Sequence, residues 1–254
     1  MEDRDLIFET VSLAGEILLA SGAEISRVSD TMERIARAYG NPGLDTFILS
    51  NGVLLSTGGG PRSYQARVRH IPLGGGRLDR IDAVNQLSRE IELGLHAPAE
   101  AHERLLAIRA IPSKPRWQQV LASGIGSGAF GYLFGGTGRD AAAAFLCGLV
   151  LYLYFLYLVR GRLSKIAMNI SGGALVTLCA LILTHLGLGS NLEMVTAGAV
   201  VPLLPGVAFT NGIRDIADED YISGSVRLLD AVLVVACLAL GVGAVMAAYT
   251  AWGV

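Results

Sequence analysis

Thr210, Asn211, Arg214, Asp215 and Asp218 follow an apolar run that Pro202 and Pro205 interrupt. At ~100° per residue these five side chains fall within an arc of about 140° on one helix, with Phe209, Ile213 and Ile216 opposite. A guanidinium offers a planar fork of donors that matches a carboxylate, and a hydroxyl and carboxamide beside it can bond an amino group, a hydroxyl or water. Asp215 and Asp218 can neutralise Arg214, bind an ammonium group or carry a proton. Proline lacks an N–H and clashes with the preceding turn, so Pro202 and Pro205 are expected to break the helix and start a half-helix near Gly206. The N-terminus of that half-helix would turn free N–H groups and positive dipole toward a ligand. The expected substrate-binding set is Thr210, Asn211, Arg214, Asp215 and Asn169, the last a costly residue to leave unpaired in an apolar segment. Arg227 and Asp230 read as an interfacial ion pair and, with Asp218, as candidates for a proton relay. The bland alternative places Arg214, Asp215 and Asp218 at the aqueous interface, where they end the helix.

Groups of this kind need a membrane around them to be worth positioning, and composition supplies one. The 254-residue chain is 52% hydrophobic and only 17% charged, with a mean hydropathy of +0.50, too apolar for an ordinary soluble domain. Residues 1–116 hold 14 of the 20 basic and 15 of the 22 acidic side chains. The expected organisation is therefore a small α+β domain over 1–116, followed by an α-helical membrane domain over 117–254. Five apolar stretches at 117–135, 141–159, 166–186, 192–212 and 228–250 each approach the ~20 residues that cross a bilayer. Lys114, Arg116, Arg160, Arg162 and Lys165 cluster on one side, so the N-terminal domain is expected in the cytoplasm and the C-terminus outside. Arg139 lies on the wrong side for that rule, with Asp140 next to it. Gly124 with Gly128, and Gly131 with Gly135, are small-residue pairs that let a helix approach a partner closely, in this chain or another.

Within 1–116, Leu6, Val11, Leu13, Ile17 and Leu18 trace an imperfect helical stripe. Ser21 and Glu24 have the spacing of a capping box opening a second helix that runs to about Tyr39 and stops at Gly40-Asn41-Pro42. On that helix Asp30 with Arg34, and Glu33 with Arg37, are spaced for surface pairs. Segments 45–50 and 53–57 flank a hairpin turn at Asn51-Gly52, and 64–71 alternates as a third strand. Helices resume at Leu78–Leu93 and after Pro98, ending before Pro112.

Several chemistries are excluded. The charge balance offers no basic stripe for nucleic acid. Cys147, Cys179 and Cys237 sit singly in apolar runs and lack disulfide or zinc spacing. The first thirty residues lack a signal-peptide pattern, so the N-terminus is expected to remain cytoplasmic. Gly58-Gly59-Gly60 and Gly74-Gly75-Gly76 lack the Lys-Ser/Thr of a phosphate loop and read as hairpin ends. His96 and His102 lack metal-binding spacing, His185 reads as a solvated interfacial residue, and no nucleophile elbow occurs. Neither an enzyme, a cofactor, a metal nor an ATP motor is expected, which leaves transport driven by gradients. The alternative is a membrane-tethered enzyme using Glu24, Arg27, Asp30 and Arg34, or a metabolite sensor, acting through the N-terminal domain.

Two long strings, SGAEISRVSDTMERIARAYG and AGAVVPLLPGVAFTNGIRDIADEDYISGSVRLLDAVLVVACLALGVG, resemble the threonine/serine exporter family, and the resemblance covers nearly the whole chain. It implies a cytoplasmic N-terminal domain and five spans in a bacterial inner membrane. Pro205, Gly206, Thr210, Asn211, Arg214 and Asp215 match the family pattern. Fused members carry a second five-span half, whereas in split members that half is a separate small membrane protein. One set of spans resembles the larger subunit of a split, succinate-type exporter. The implied function is export of a small polar carboxylate, a C4 dicarboxylate such as succinate or threonine/serine. The implied partners are the small membrane subunit, the bilayer and possible further copies of this chain.

Overall fold

A computed structural model describes residues 3–41, 43–58, 64–71, 76–159 and 163–252. Pro42, Arg160, Arg162, Gly59, Gly60, Gly74 and Gly75 lie outside the described residues, and with them the expected glycine-rich hairpin ends and part of the basic loop. Packing groups the chain into two bodies, one of Met1–Pro112 with Gly206–Leu229, the other of Ser113–Pro205 with Asp230–Val254. The first break between the bodies falls at Pro112/Ser113, close to the composition step at 116/117, while residues 206–229 pack with the charged part of the chain.

In the first body, α1 (Asp3–Ala20), α2 (Ile25–Ala38), α3 (Leu78–Glu92) and α4 (Pro98–Arg109) pack with a three-stranded antiparallel sheet, β1 (Leu44–Leu49), β2 (Gly52–Gly58) and β3 (Tyr64–His70), in the order β1-β2-β3. Val11, Leu18, Val28, Met32, Ile35, Val53, Leu55, Val84 and Leu105 form its core, all at most 2% exposed. The hairpin is one residue out from its expected position. Leu49 pairs with Gly52, so Ser50 and Asn51 make the turn. The pairing of Gly52 with His70 explains the shift. A Cβ on Gly52 would lie 3.1 Å from Arg69 O, so the glycine serves close strand approach there.

The second body contains α5 (Arg116–Leu133), α6 (Gly138–Tyr154) continued by a π-helical turn Phe155–Val159, α7 (Lys165–His185), α8 (Leu192–Val200) continued by a 3-10 turn Val201–Leu203, and most of α10. The helix α9 (Gly206–Ala217) and the first turns of α10 (Tyr221–Ala251) belong to the first body. Among the described residues, three helices, Gly138–Val159, Lys165–His185 and Tyr221–Ala251, are long and apolar enough to cross a membrane; the broken pair Leu192–Leu203 and Gly206–Ala217 makes a fourth if it is one span. The stretch expected as a first span is the helix α5. Its Gln118, Gln119, Ser123 and Ser127 and its glycines hold its hydropathy below that of the others, so by length and composition three or four of the five expected stretches qualify as crossings.

Three glycines of α5, Gly124, Gly128 and Gly131, serve contacts inside this chain. Cβ atoms on Gly124 and Gly128 would meet α6 at Leu149, Phe145 and Ala141 O, and one on Gly131 would meet Ala144 of α6 and Met194 O of α8. Gly135 does not share that role: it ends the helix at φ +103 with nothing nearby. Asp140 does not neutralise Arg139. It is buried and accepts from Thr137 N (2.8 Å), Thr137 Oγ1 (2.7 Å), Ser190 N (2.6 Å) and Asn191 N (2.8 Å), so it caps α6 and fixes the α7–α8 turn. Arg139 donates to Gly187 O. His185 sets its ring edge-on to Tyr249, centroids 6.0 Å apart.

The α5–α8 contact is backbone against backbone, since a Cβ on Gly198 would lie 2.5 Å from Gly131 Cα. Gly198→Val is expected to destabilise by overpacking, about 1–3 kcal/mol. Gly126→Ala, with nothing within 4 Å, is expected to gain up to ~1 kcal/mol of helix propensity. Thermal unfolding of the purified protein in detergent separates the two; equal midpoints would rule out this packing.

Candidate functional site

The helix that begins at Leu192 ends in the 3-10 turn Val201–Leu203, and Leu204 is extended (φ −69, ψ 133). Pro202 and Pro205 cannot donate, so the ladder fails there, and α9 starts at Gly206. α9 reaches Ala217 and turns through Glu219, whose φ of 69 is unusual for a residue with a side chain. Asp220 Oδ1 then accepts from Ser223 N (3.2 Å) and caps α10. Two glycines let α9 and α10 close up. A Cβ on Gly212 would lie 3.0 Å from Leu228 Cγ, and one on Gly224 2.5 Å from Ile216 Cγ1.

This helical hairpin presents its polar face to the turn between α1 and α2. Asn211 Nδ2 donates to Gly22 O (2.9 Å). Arg227 Nη2 donates to Ala23 O (2.9 Å). Arg214 pairs with the Glu24 carboxylate. Asp215 Oδ1 accepts from Ile25 N (3.3 Å), and its other oxygen lies 3.3 Å from Arg227 Nε. That second contact is ionic without the alignment of a hydrogen bond, since Asp215 Oδ2 has no hydrogen-bond partner. Asp215 is 1% and Arg227 4% exposed.

The expected capping box at the start of α2 is absent. α1 runs to Ala20, Ser21 N bonds back to Ile17 O and Leu18 O, and Gly22 takes φ 81, so Ser21 closes the first helix instead of opening the second. Its hydroxyl is buried without a partner. Glu24 is the N-cap residue of α2 but makes no capping bond, and the first turn of α2 holds no acidic residue. The anion at this helix N-terminus is Asp215, brought from far along the chain, where the orphan N–H groups and the dipole favour negative charge.

The structure brings Asn211, Arg214, Asp215 and Arg227 together. Thr210 and Asp218 are exposed and make no side-chain hydrogen bond or ion pair among the described residues. Asn169 belongs to the second body, is buried, and donates Nδ2 to Lys165 O of its own helix (2.8 Å). Arg227 and Asp230 do not pair with each other. Arg227 turns to the buried carboxylate of Asp215 on α9, and Asp230 pairs with Lys165 of α7 at 2.5 Å. Sequence reasoning missed Gly22, Ala23, Glu24 and Ile25 as partners. The available signal was that both strings carrying the family resemblance are needed to build this one cluster.

The family model described as "Putative threonine/serine exporter" matches residues 9–249. A "Threonine/serine exporter" of Corynebacterium glutamicum is 26% identical over 239 residues, 90% of this chain and 48% of that protein, so the chain spans about half the length of that relative. A "Probable succinate transporter subunit YjjP" of Klebsiella aerogenes is 26% identical over 93% of this chain and 90% of its own length. The Escherichia coli K12 protein of the same description is 26% identical over 94% and 92%. No solved structure matches.

Removing one member of a buried pair strands the other. Asp215→Asn or Arg227→Met is each expected to destabilise by about 3–5 kcal/mol, whereas Asp215→Leu combined with Arg227→Met restores most of that loss. A double-mutant cycle on thermal midpoints in detergent, closed with the Asp215→Leu and Arg227→Met single variants, measures the coupling; additive losses would show that the two charges do not act as a pair.

Proposed function

The chain belongs to the threonine/serine exporter family, and on that premise we propose that it is one half of a secondary exporter of small polar carboxylates. It crosses the bacterial cytoplasmic membrane five times, with α5 as the first and least apolar crossing. Its N-terminus is cytoplasmic and its C-terminus outside. A small membrane subunit supplies the second five-helix half, and the two rock against each other to alternate access. The substrate is a C4 dicarboxylate such as succinate, or threonine/serine. The near full-length match to relatives named as subunits of a succinate transporter favours the split arrangement.

The observation that carries this reading is Arg214. It stands on the polar face of a half-helix that begins at a proline break, its side chain is 55% exposed, and its partner is a single carboxylate, that of Glu24. Glu24 occupies the guanidinium as a substrate carboxylate would, and exchange of one carboxylate for the other costs little because the charge count at Arg214 is unchanged. Thr210 is exposed one helical turn earlier and offers a hydroxyl to the rest of the substrate. Asn211, Asp215 and Arg227 hold α9 in place, and Asn169 remains a candidate lining residue of the second body.

Counterflow of labelled succinate, threonine and serine into proteoliposomes, with and without the small subunit, tests the assignment. Arg214→Ala is expected to lower flux at least about tenfold, the scale of one lost charge-assisted hydrogen bond. Thr210→Val is expected to raise the half-saturating concentration with a smaller effect on maximal flux. Undiminished flux through the Arg214→Ala protein, or full flux without any partner, would sink the corresponding part of the proposal.

A further inference from the structure

Export uses the α9 side of the first body and leaves a polar cavity of about 320 Å³ between α2 and α3 without a task. Arg27, Asp30 and Arg34 line it at helical spacing along α2, and Asn85 and Arg89 line it one turn apart on α3. The charges are poorly matched to one another. Arg34 does not pair with Asp30 as the i,i+4 spacing suggests; its nearest carboxylate is Glu92, at 3.9 Å. Arg27 lies 3.9 Å from Glu24, beyond hydrogen-bonding distance, and Glu24 is also engaged by Arg214. Neither Arg89 nor Asp30 makes an ion pair among the described residues. With Glu24 committed to Arg214, three guanidiniums line a concave, metabolite-sized space beside the single lining carboxylate of Asp30, and the cavity stays net positive by one charge when Glu92 beside Arg34 is counted.

We infer that this cavity binds a small dianionic oxyacid, a dicarboxylate or a phosphate, as an effector at a site separate from the one the transported molecule uses. One anionic group bridges Arg34 and Arg89 from the two walls, with the Asn85 carboxamide beside it, and the other lies toward Arg27. Two anionic groups give each wall a partner, Arg34 giving up its long contact with Glu92, and Asp30 disfavours ligands carrying more charge. Occupancy takes Arg27 away from Glu24 and leaves Glu24 to Arg214 alone, so the ligand strengthens the hold of the α1–α2 turn on α9. The binding stands on the geometry of the cavity; only its meaning as an effector rests on the transport reading.

The test is isothermal titration of the full chain in lipid nanodiscs with succinate, inorganic phosphate and glycine, all in a Glu24→Gln/Arg214→Ala background, so that the exporter site is silent and no freed Glu24 carboxylate is added to the cavity. One dianion per chain is expected to bind, more weakly as salt rises, and glycine is not. Succinate alone binding identifies a carboxylate effector, and phosphate alone a phosphate one. Arg34→Gln with Arg89→Gln is expected to weaken binding at least about tenfold, with an unchanged thermal midpoint as the check on folding, whereas Arg104→Gln on α4 leaves it intact. Absence of binding by both dianions at millimolar concentration, equal binding of glycine, or full affinity in the Arg34/Arg89 double variant would overturn the inference whatever flux experiments show.

Discussion

A carboxylate and a guanidinium withdrawn from water must be matched almost atom for atom, and the first body is arranged around that demand at Asp215 and Arg227. Desolvating each ion costs several kcal/mol, which their mutual attraction offsets only when further hydrogen bonds complete the shell. Those bonds come from the α1–α2 turn, through Ile25 N to Asp215 and Arg227 to Ala23 O. The same turn is held again by Asn211 at Gly22 O and by Arg214 at Glu24. Helix α9 is therefore placed by charge and hydrogen bonding on one face. Its other face, with Val207, Phe209 and Ile213 about half exposed, is apolar and open. That division suits a segment at the boundary of oil and water.

The second body follows a different logic, because in lipid apolar contact brings no advantage over lipid tails and close backbone approach takes its place. Gly131 and Gly198 let α5 touch α8, while Gly173 and Gly241 let α7 touch α10 at Leu238 and Ile170. Several polar side chains there are returned to backbone or to one another, while the buried hydroxyls of Ser127 and Thr196 have no hydrogen-bond partner among the described residues. Tyr154 OH donates to Ser171 Oγ (2.7 Å), Ser171 and Thr177 donate to carbonyls one turn back, and Asp140 gathers four donors.

What could be read in the linear chain was whatever depends on local period and solvent. The apolar runs at 141–159 and 166–186 became helices close to their expected limits, the three strands formed within one residue of where alternation placed them, and Gly40 ended α2 at φ 72. What failed depended on partners. The hairpin moved by one residue because the third strand, not the Asn51-Gly52 turn, sets the register. Ser21 and Glu24 had the spacing of a cap, yet the acceptor at that helix start is 190 positions away. Arg34 and Arg227 each passed over the carboxylate nearest in sequence for one on another helix. The chemically loaded residues of α9 were visible because a bilayer-length apolar run makes any ion conspicuous, whereas the small, ordinary residues Gly22 and Ala23 that meet them through their carbonyls carry no such signal.

The dependence of α2 on Asp215 sets an order of events in biosynthesis. A ribosome releases residues 25–38 long before residue 215 exists, so in the growing chain the Ile25 amide at the start of α2 lacks the carboxylate that accepts from it in the finished protein, and water must hold that place until α9 is made.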